Sequence, residues 1–583
     1  MNLKHLSLLI LGTALAVAPL FAQLTYDWGN TMGSSGRDEL TDLALDPTGN
    51  VYITGIFEDS IDVSNGAGTA SVSSNGWRDG LIAKYYPDGT HAWSVGFGNA
   101  AWDRGWAIAV DSSGSVYGGG VFSNKVDFDP SPDSAYLISN QAGVWPDGYL
   151  VKYDTDGKLL WANHILTARD RGASQTATLF AIHDMEVDHE GNLIIGGAFW
   201  DSVWLSPSSL LVSDGPLRDM FLAKYDGDGN LIWAQQMGGA SDQEIRGIDT
   251  DSQGNIFVGG YYFGTADFDP SANEDSRTSM GAADMFIAKY SSDGDLSWVH
   301  GAGSSDGVVV SPESVNDVAV DESGNVLITG VMYGGIDFDP SSTIDTLALS
   351  SPGDIFTAKY NNQGELIGAF SLDGNGTQIG KRLAILEDGS FYLGGEYSSS
   401  SVDLDPSADS SVVFGLSHYD LFVALYDSNF VFLEGRAHRG LQEERMQGLA
   451  AHGNQIVVGG HFSGSTLLDQ QSGDLRFSKG DSDIFFAKYG EETTSIHSEV
   501  FNGHFVAFPN PASHYLNIRG NWERPQSAIL SLSNIHGQQL YRKGFISTQE
   551  IHLQLPLAPY PAGIYFLELS MSGTKTYQKI ILE

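Results

Sequence analysis

The sequence predicts an all-β chain, a seven-bladed β-propeller followed by a small C-terminal β-sandwich, and three observations support this prediction. A seven-residue pattern that begins with Asp and ends with Tyr recurs seven times, and nearly all of its residues after the first are apolar. The 70 glycines suit a chain with many tight turns. A strand that contains Trp28 precedes the first full repeat, whereas the last repeat lacks that strand. The copies of the pattern are residues 79–85, 147–153, 219–225, 284–290, 354–360, 420–426 and 483–489.

Each repeat is predicted to contain four antiparallel strands, called a to d in chain order. The recurring apolar pattern is strand c, and its composition predicts that both of its faces are covered. A tight turn with glycine joins strands a and b, and an Asp-Gly turn joins strands c and d in most repeats. Strand d carries a tryptophan in most repeats, whereas Gly368 and Glu434 take that place in the fifth and sixth repeats. We interpret these tryptophans as packing residues; they are Trp28, Trp93, Trp161, Trp233 and Trp298.

Two glycine patterns have structural interpretations. Gly49 and its equivalents in the a–b turn fit a positive φ, and Asn454 is expected to take this place in the last repeat because Asn tolerates it. The paired glycines of strand b, such as Gly196 and Gly197, are interpreted as positions where neighbouring blades converge and backbones approach closely.

The unpaired N-terminal strand predicts that the repeats close into a ring. If the strand with Trp28 pairs with strand c of the last repeat, the sheet edges that an open array would leave exposed are satisfied. A stacked β-solenoid is the alternative, but its repeats are usually shorter and it gives no reason for the unpaired strand.

The N-terminal residues indicate export, and the overall composition limits the possible partners and chemistry. Residues 1–22 have the basic start, apolar middle and small-residue end of a signal peptide. A formal net charge of −42 argues against nucleic acid as a partner, because binding phosphates requires basic residues. The absence of cysteine excludes disulfides and thiol catalysis. We therefore expect a signal peptide at 1–22, a propeller at 23–489, a linker at 490–504 and a sandwich at 505–583.

The repeats resemble the bacterial β-propeller repeat family of secreted proteins. The resemblance rests on the Asp-x-x-Gly-Asn-Val-Tyr-Ile-Thr-Gly type of run at residues 46–55 and 321–330, together with strand c. It implies a fold and not an activity. The last two repeats depart from the pattern, since Leu386 and Ala451 replace the Asp at the end of strand a and Leu425 replaces the Lys of strand c.

The C-terminal region resembles the type A sorting domain of the type IX secretion system. The resemblance rests on a combination of short motifs, namely Pro509-Asn510-Pro511, Leu516-x-Ile518, Gly537, Gly563-Ile564-Tyr565 and a terminal run that starts at Lys579. It implies transport through the periplasm and across the outer membrane of a Gram-negative bacterium by the type IX machinery. The mature protein would then be released or held at the cell surface, with no transmembrane span. A generic immunoglobulin-like adhesion module is the alternative.

The first candidate ligand site lies at the entrance of strand a, near the predicted central channel. Its varied residues, with cations in an acidic protein, fit a pocket for an acidic sugar or a peptide carboxylate. The alternative is that they only fill or solvate the channel mouth. The candidate residues are Trp106, His183, Arg246, Asn316 and Lys381, which align with Thr41 in the first repeat and Met446 in the last.

The second candidate site is an acidic motif, Asp-x-Asp-Pro, which occurs in four of the b–c loops. Two carboxylates at i and i+2 of an extended segment point to the same side and could supply two oxygen ligands to calcium. The alternative, which we favour, is that the aspartates cap loop amides. The residues are Asp127, Asp129, Asp267, Asp269, Asp337, Asp339, Asp403 and Asp405.

No motif in the sequence identifies a catalytic residue. The first hypothesis is therefore a non-enzymatic surface or secreted propeller that binds a glycan or a protein through its loop-rich face. The second is a polysaccharide hydrolase or lyase with its site at the channel mouth. The third is a structural surface-layer protein that binds other copies of itself.

Overall fold

The structure is a computed structural model that describes residues 24–64, 70–139, 146–168, 180–304, 313–341, 346–348, 353–398, 401–415, 418–469, 472–491, 503–508, 512, 514–534, 539–561, 563–571 and 574–582. The chain divides into two compact units, residues 1–491 and 492–583. The predicted signal peptide and residues 492–502 of the predicted linker lie outside the described residues.

The first unit is all-β and is built from propeller-like repeats of antiparallel strands in the order a to d. Among the residues that the structure describes, regular structure consists of strands without helices. The a strands are β2 (Glu39–Leu45), β8 (Arg104–Val110), β14 (Phe180–Val187), β20 (Gln243–Thr250), β24 (Ser314–Val320), β30 (Gln378–Ile385) and β36 (Glu444–His452). The b strands are β3 (Val51–Phe57), β9 (Val116–Phe122), β15 (Leu193–Phe199), β21 (Ile256–Asp267), β25 (Val326–Met332), β31 (Phe391–Tyr397) and β37 (Gln455–Phe462).

The remaining strands complete each sheet on its outer side. The c strands are β6 (Asp79–Tyr85), β12 (Asp147–Tyr153), β18 (Asp219–Tyr225), β22 (Ser276–Tyr290), β28 (Asp354–Tyr360), β34 (Asp420–Tyr426) and β40 (Asp483–Glu491). The d strands are β1 (Leu24–Met32), β7 (His91–Phe97), β13 (Leu159–Ala168), β19 (Leu231–Gly239), β23 (Leu296–Ala302), β29 (Leu366–Leu372) and β35 (Phe432–Gly440).

Small hairpins lie between strands b and c. They are β4 (Ser60–Asp62) with β5 (Ser71–Ser73), β10 (Lys125–Asp127) with β11 (Tyr136–Ile138), β16 (Ser202–Ser206) with β17 (Ser209–Val212), β26 (Ile336–Asp337) with β27 (Thr346–Leu347), β32 (Ser401–Asp403) with β33 (Val412–Phe414), and β38 (Ser465–Asp469) with β39 (Asp474–Phe477). In the fourth repeat the extended ends of β21 and β22 form this hairpin.

The N-terminal strand β1 is the outer strand of the last sheet. It pairs antiparallel with β40, so that Thr31 lies opposite Phe485 and Trp28 lies opposite Lys488. The indole of Trp28 packs edge-on against Phe486 with ring centroids 5.9 Å apart. The resulting sheet has the order β1-β40-β37-β36, and strand a of each repeat contacts strand a of the next, with β36 contacting β2.

In several repeats, a tryptophan and a lysine donate hydrogen bonds to the c–d turn of the next repeat. Trp93 Nε1 and Lys84 Nζ both donate to the Thr155 carbonyl oxygen, each at 3.0 Å. Trp28 and Lys488 donate in the same way to the Pro87 carbonyl, again at 3.0 Å each. The same paired contact joins Trp161 and Lys152 to Gly227, and Trp233 and Lys224 to Ser292. The strand-d tryptophans are thus packing residues that also link neighbouring repeats.

In the second to fifth repeats, the strand-c lysine also forms a buried ion pair with the Asp at the end of strand a. In the fifth repeat Lys359 Nζ lies 2.9 Å from the Asp321 carboxylate, and both side chains are about nine-tenths buried. In the sixth repeat Leu386 and Leu425 occupy these two positions and contribute to one hydrophobic cluster. Both members of the pair have therefore been replaced together, which leaves neither charge buried without a partner.

The glycine patterns are explained only in part by the sequence interpretation. Gly49 has φ of 79°, as predicted, but the last repeat places Gly453 at positive φ, with φ of 55°, and not Asn454. In strand b, a side chain on Gly196 would meet Ile248 of the next repeat, as expected for converging blades. A Cβ on Gly197 would instead lie 1.9 Å from the Ala181 carbonyl oxygen of strand a in the same repeat.

The second unit is a sheet of five strands around its own core. The strands are β41 (Gly503–Phe508), β42 (Tyr515–Asn534), β43 (Gln539–Pro556), β44 (Gly563–Met571) and β45 (Thr574–Leu582). β42 pairs with β43 along its length, with β41 in its first half and with β44 in its second half. Leu516 from the first half and Leu530 from the second belong to the same buried cluster. The long strands thus supply both sides of one core.

We predict that the ion pair of the fifth repeat is stabilising only while both partners are present. Lys359→Leu is expected to lower the free energy of unfolding by about 3 kcal/mol, because it leaves the Asp321 carboxylate buried without its cation. The double variant Lys359→Leu/Asp321→Asn is expected to recover more than half of this loss, since the amide still accepts from the turn backbone. Urea unfolding followed by tryptophan fluorescence measures both. Asp321→Asn alone is the control, and equal stability of the single Leu variant and the double variant would contradict the prediction.

Candidate functional site

A β-bulge interrupts every a strand at the predicted site. The register between strands a and b shifts by one residue, so one extra residue projects from each a strand. The extra residues are Thr41, Trp106, His183, Arg246, Asn316, Lys381 and Gln447. The prediction of Met446 for the last repeat was wrong by one position, because Met446 precedes the bulge and is fully buried in the core.

Contacts between neighbouring repeats connect the predicted residues. The rings of Trp106 and His183 meet edge to face with centroids 6.0 Å apart. Arg246 Nη1 donates to Asn316 Oδ1 at 3.2 Å, and Asn316 Nδ2 donates to the Gly380 carbonyl at 2.8 Å, next to Lys381. We call the bulge residues and the charged residues beside them the mouth cluster. The charged residues are Arg37, Glu39, Arg104, Glu244, Glu396 and Arg445.

The mouth cluster includes charged residues that the sequence analysis missed. Glu39, Arg104, Glu244 and Arg445 each lie two residues before a bulge residue, and Glu396 follows the glycine pair of strand b. Comparing the position two residues before each candidate would have revealed Glu39, Arg104 and Glu244, because residues i and i−2 of a strand share a face. Arg445 was missed because the candidate of the last repeat was displaced by one residue. Nothing in the spacing connects Glu396 to them, since it lies on a different strand.

Buried carboxylates hold most of the cations of the mouth cluster. Glu244 is 3% exposed and lies 3.4 Å from Arg246, 3.6 Å from His183, and against Arg218. Although burial opposes it, these neighbours hold the pKa of Glu244 below its usual value. Burial lowers the pKa of His183 to about 4, so its ring is neutral at pH 7. Glu396, fully buried, accepts from Arg445 at 2.9 Å and lies 3.8 Å from Lys381.

Arg104 is an exception within this network. Its guanidinium lies over the ring of Trp106, 4.0 Å from the centroid, and forms no ion pair with any residue that the structure describes. Burial lowers the pKa of Arg104. Within the described part of the chain, Arg104 Nε, Trp106 Nε1 and His183 Nε2 are buried and have no hydrogen-bond partner. Buried polar groups in proteins are nearly always satisfied, so these three nitrogens mark a place for an additional ligand group or water.

Below the mouth cluster, all the a strands line a cavity of about 330 Å³. Its aspartates link repeats: Asp42 accepts from Ile108 N at 2.9 Å, Asp184 from Ile248 N at 2.6 Å and Asp317 from Leu383 N at 2.6 Å. Burial raises the pKa of Asp42 and of Asp317 to about 6, although Arg382 opposes the shift. The pKa values of Asp184, Glu186 and Asp249 are raised by burial as well, that of Asp249 to about 7.

The four Asp-x-Asp-Pro loops share one geometry. In the second repeat Asp127 Oδ1 accepts from the backbone N–H groups of Asp129 and Ala135 at 3.2 and 2.8 Å, and Asp129 accepts from Ser131 N at 2.9 Å. The residue between the aspartates, Phe128, is buried, and its carbonyl accepts from the Tyr153 hydroxyl of strand c at 2.7 Å. Asp267 and Asp403 likewise accept from a backbone N–H eight residues further along the chain. The second aspartates, Asp269, Asp339 and Asp405, each accept from the backbone N–H two residues further along, as Asp129 does.

In three of these loops the first carboxylate, that of Asp127, Asp267 or Asp403, accepts from a backbone amide across the loop. In all four, the tyrosine at the end of strand c donates to the carbonyl of the residue between the two aspartates. Among the described residues no group of three or more His, Cys, Asp or Glu side chains is arranged to hold a metal ion.

The predicted sorting residues are described only in part. Pro509, Asn510 and Pro511 lie outside the described residues. Gly563 begins β44, and Lys579 lies in β45. The Tyr565 side chain is buried, and its hydroxyl donates to the Pro561 carbonyl at 2.7 Å.

Family models match both parts of the chain. Residues 506–583 match the secretion system C-terminal sorting domain, and residues 232–261 match a beta-propeller repeat. Both matches agree with the resemblances read from the sequence. The sorting domain identifies the chain as a secreted or outer-surface protein of a Gram-negative bacterium of the Bacteroidetes type.

More distant similarities extend over larger parts of the chain. An uncharacterized WD repeat-containing protein of Acanthamoeba polyphaga mimivirus is 25% identical over 351 residues, which are 52% of this chain and 25% of that protein. The regulatory protein FlaEY of Caulobacter vibrioides is 25% identical over 236 residues, 40% of this chain and 22% of that protein. The chain thus spans about a quarter of the length of these curated relatives. A solved member of the DUF4221 family from Bacteroides vulgatus aligns with a TM-score of 0.26 and 9% identity, over 63% of this chain and 92% of that one.

The described residues include no helix with the length and apolar character that a membrane span requires.

We predict that the cavity carboxylates make the protein less stable as the pH rises. Their folded-state pKa values lie above the unfolded values near 4, so their contribution is fully present below about pH 4 and is lost as the pH rises through about 6 to 7. For a group such as Asp42 the loss is at most about 3 kcal/mol.

Glu186→Gln tests this prediction. The variant is expected to be more stable than the parent in urea at pH 8 but not at pH 4, because the amide carries no charge at either pH. Asp133→Asn removes a charge from an exposed loop and is the control. A Glu186→Gln variant that gains no stability at pH 8 would contradict the expected direction of the pH dependence.

Proposed function

We propose that the first unit is a closed, seven-bladed β-propeller. The pairing of β1 with β40 supports closure, as does the contact between β36 and β2. Trp28 and Lys488 both donate to the Pro87 carbonyl, so the last and first repeats are linked by the same hydrogen bonds that link neighbouring repeats elsewhere. In this proposal a signal peptide at 1–22 precedes the propeller at 23–489, and a linker at 490–504 leads to the sorting domain at 505–583.

We propose further that the mature protein is a non-enzymatic binding module that the type IX machinery exports to the cell surface or medium. Its ligand, a glycan or a protein, binds at the mouth cluster. The observation that supports this proposal is the set of buried nitrogens of Arg104, Trp106 and His183 that have no hydrogen-bond partner among the described residues. The strands that carry them, β8 and β14, also line the cavity. Concave sites with a few convergent polar groups are typical of ligand binding.

A polysaccharide hydrolase or lyase is the second candidate function. It is favoured by the carboxylates of the cavity, because burial raises the pKa of Asp42 and of Asp317 to about 6, a value suited to a general acid. Both carboxylates, however, already accept hydrogen bonds from the backbone of the next repeat. We therefore rank catalysis below binding.

We predict that Trp28 contributes to stability through ring closure. Trp28→Ala is expected to lower the free energy of unfolding by about 2 kcal/mol or more, because it removes a packed ring and the hydrogen bond to Pro87. Urea unfolding measures the change. Trp77→Ala is the matched control, since that indole is 61% exposed and its loss is expected to cost less than about 0.5 kcal/mol. Equal effects of the two substitutions would argue against closure.

A binding assay tests the proposed function. The mature chain is expected to bind members of a panel of oligosaccharides and peptides. Arg246→Ala is expected to weaken binding, because it removes the contacts of Arg246 with Glu244 and Asn316 within the mouth cluster. Arg476→Gln, on the hairpin of β38 and β39, is expected to bind as the parent does. Incubation with acidic polysaccharides separates the second candidate: product formation that Asp42→Asn abolishes would replace the binding module by an enzyme.

A further inference from the structure

The buried nitrogens of the mouth cluster that have no hydrogen-bond partner among the described residues lie on one side of it. Arg104, Trp106 and His183 come from the a strands β8 and β14, which are neighbours. Other cations of the cluster have a carboxylate within 4 Å: Arg246 has Glu244, Lys381 and Arg445 have Glu396, and Arg37 has Glu39. Arg104 has none among the described residues. The positive charge of this guanidinium is therefore available to an anion.

The chemistry of the nitrogens that lack hydrogen bonds suits a carboxylate. A carboxylate accepts up to four hydrogen bonds through two oxygens, and a guanidinium presents its N–H groups as a planar fork. The indole N–H of Trp106 can only donate. His183 is neutral at pH 7 and offers a further polar contact without adding charge.

The surroundings favour a group with one negative charge, such as a sugar carboxylate, over a doubly charged group such as a phosphate monoester. The buried carboxylates Glu39, Glu244 and Glu396 border the cluster and repel a second negative charge at the same site. The same carboxylates are acceptors, and sugar hydroxyls are donors that suit them.

An exposed aromatic residue lies on the neighbouring loop. The loop before β8 is joined to the loop before β6, since Asp103 N donates to the Arg78 carbonyl at 2.9 Å. Trp77 precedes Arg78 and is 61% exposed, and Arg104 follows Asp103. The loop joined to that of Arg104 thus carries a flat apolar surface of the kind on which a pyranose ring stacks.

From these contacts we propose that Arg104, Trp106 and His183 bind the carboxylate of a uronic acid in a glycan. This inference rests on the proposed binding function and specifies its ligand. Arg104 and Trp106 Nε1 donate to the carboxylate, Trp77 provides the surface for the sugar ring, and the bordering carboxylates accept from its hydroxyls.

Titration calorimetry with tetragalacturonate and its fully methyl-esterified form tests the proposal, because esterification removes the carboxylate charge and leaves the sugar rings and hydroxyls unchanged. The mature chain is expected to bind the acid at least about tenfold more tightly than the ester. Arg104→Gln is expected to remove this preference, and Trp106→Phe to reduce it while keeping the ring. Arg476→Gln makes the same charge change on an outer hairpin and is expected to keep the preference. Thermal melting of each variant confirms that it is folded.

The results that overturn the proposal are distinct from those that overturn the binding function. Equal binding of the acid and the ester, or an Arg104→Gln variant that still prefers the acid, overturns the uronate site and leaves glycan binding intact. Failure of both tetragalacturonate and a hyaluronan tetrasaccharide to bind, while a tripeptide with a free C-terminus binds through Arg104, replaces the sugar by a peptide. If the mature chain binds no glycan and no peptide, the proposed function falls as well.

Discussion

The burial of strand c on both faces is the constraint on which the first unit depends. Each residue of β6, for example, is buried, and no single four-stranded sheet can cover both of its own faces. The covering surfaces come from neighbouring repeats, and specific contacts fix how they meet. A tryptophan from strand d and a lysine from strand c donate to one carbonyl of the next repeat, which sets the spacing between sheets as well as their attraction. The N-terminal strand takes part through Trp28 with the same acceptor geometry.

The ion pair between the strand-c lysine and the Asp of strand a shows how the repeats tolerate change. A buried charge without a partner is costly, so a single replacement at either position is unfavourable. The sixth repeat avoids this cost because Leu386 and Leu425 replace both partners and join the hydrophobic cluster. In the last repeat, Ala451 removes the carboxylate but Lys488 remains, and Asp27 of the N-terminal strand lies 3.9 Å from it. The loss of the local partner is thus compensated by a strand from the other end of the chain.

The bulge in strand a creates the candidate site and also limits the sequence around it. The carbonyl that precedes the bulge leaves no room for a side chain on the second glycine of strand b, as at Gly197. The extra residue projects toward the mouth cluster, where its identity is free to vary because it has no part in the sheet core. A regular scaffold thereby carries a variable set of polar groups, and Arg104, beside the bulge residue Trp106, has no carboxylate within 4 Å among the described residues.

The amino-acid sequence alone was sufficient to predict the repeat, the order of the strands, the Asp-Gly turns and the C-terminal sorting domain, because these depend on local periodicity and short motifs. It also located six of the seven bulge residues, since their positions recur at a constant distance from strand b. It misplaced Met446 and Asn454, where the bulge or the turn shifts the alignment by one residue. The position of Glu396 beside Lys381 and Arg445, and the lack of a carboxylate within 4 Å of Arg104 among the described residues, emerged from the three-dimensional fold, because these relations join side chains on different strands. The pairing of charges across repeats leaves no periodic signal that a single sequence can reveal.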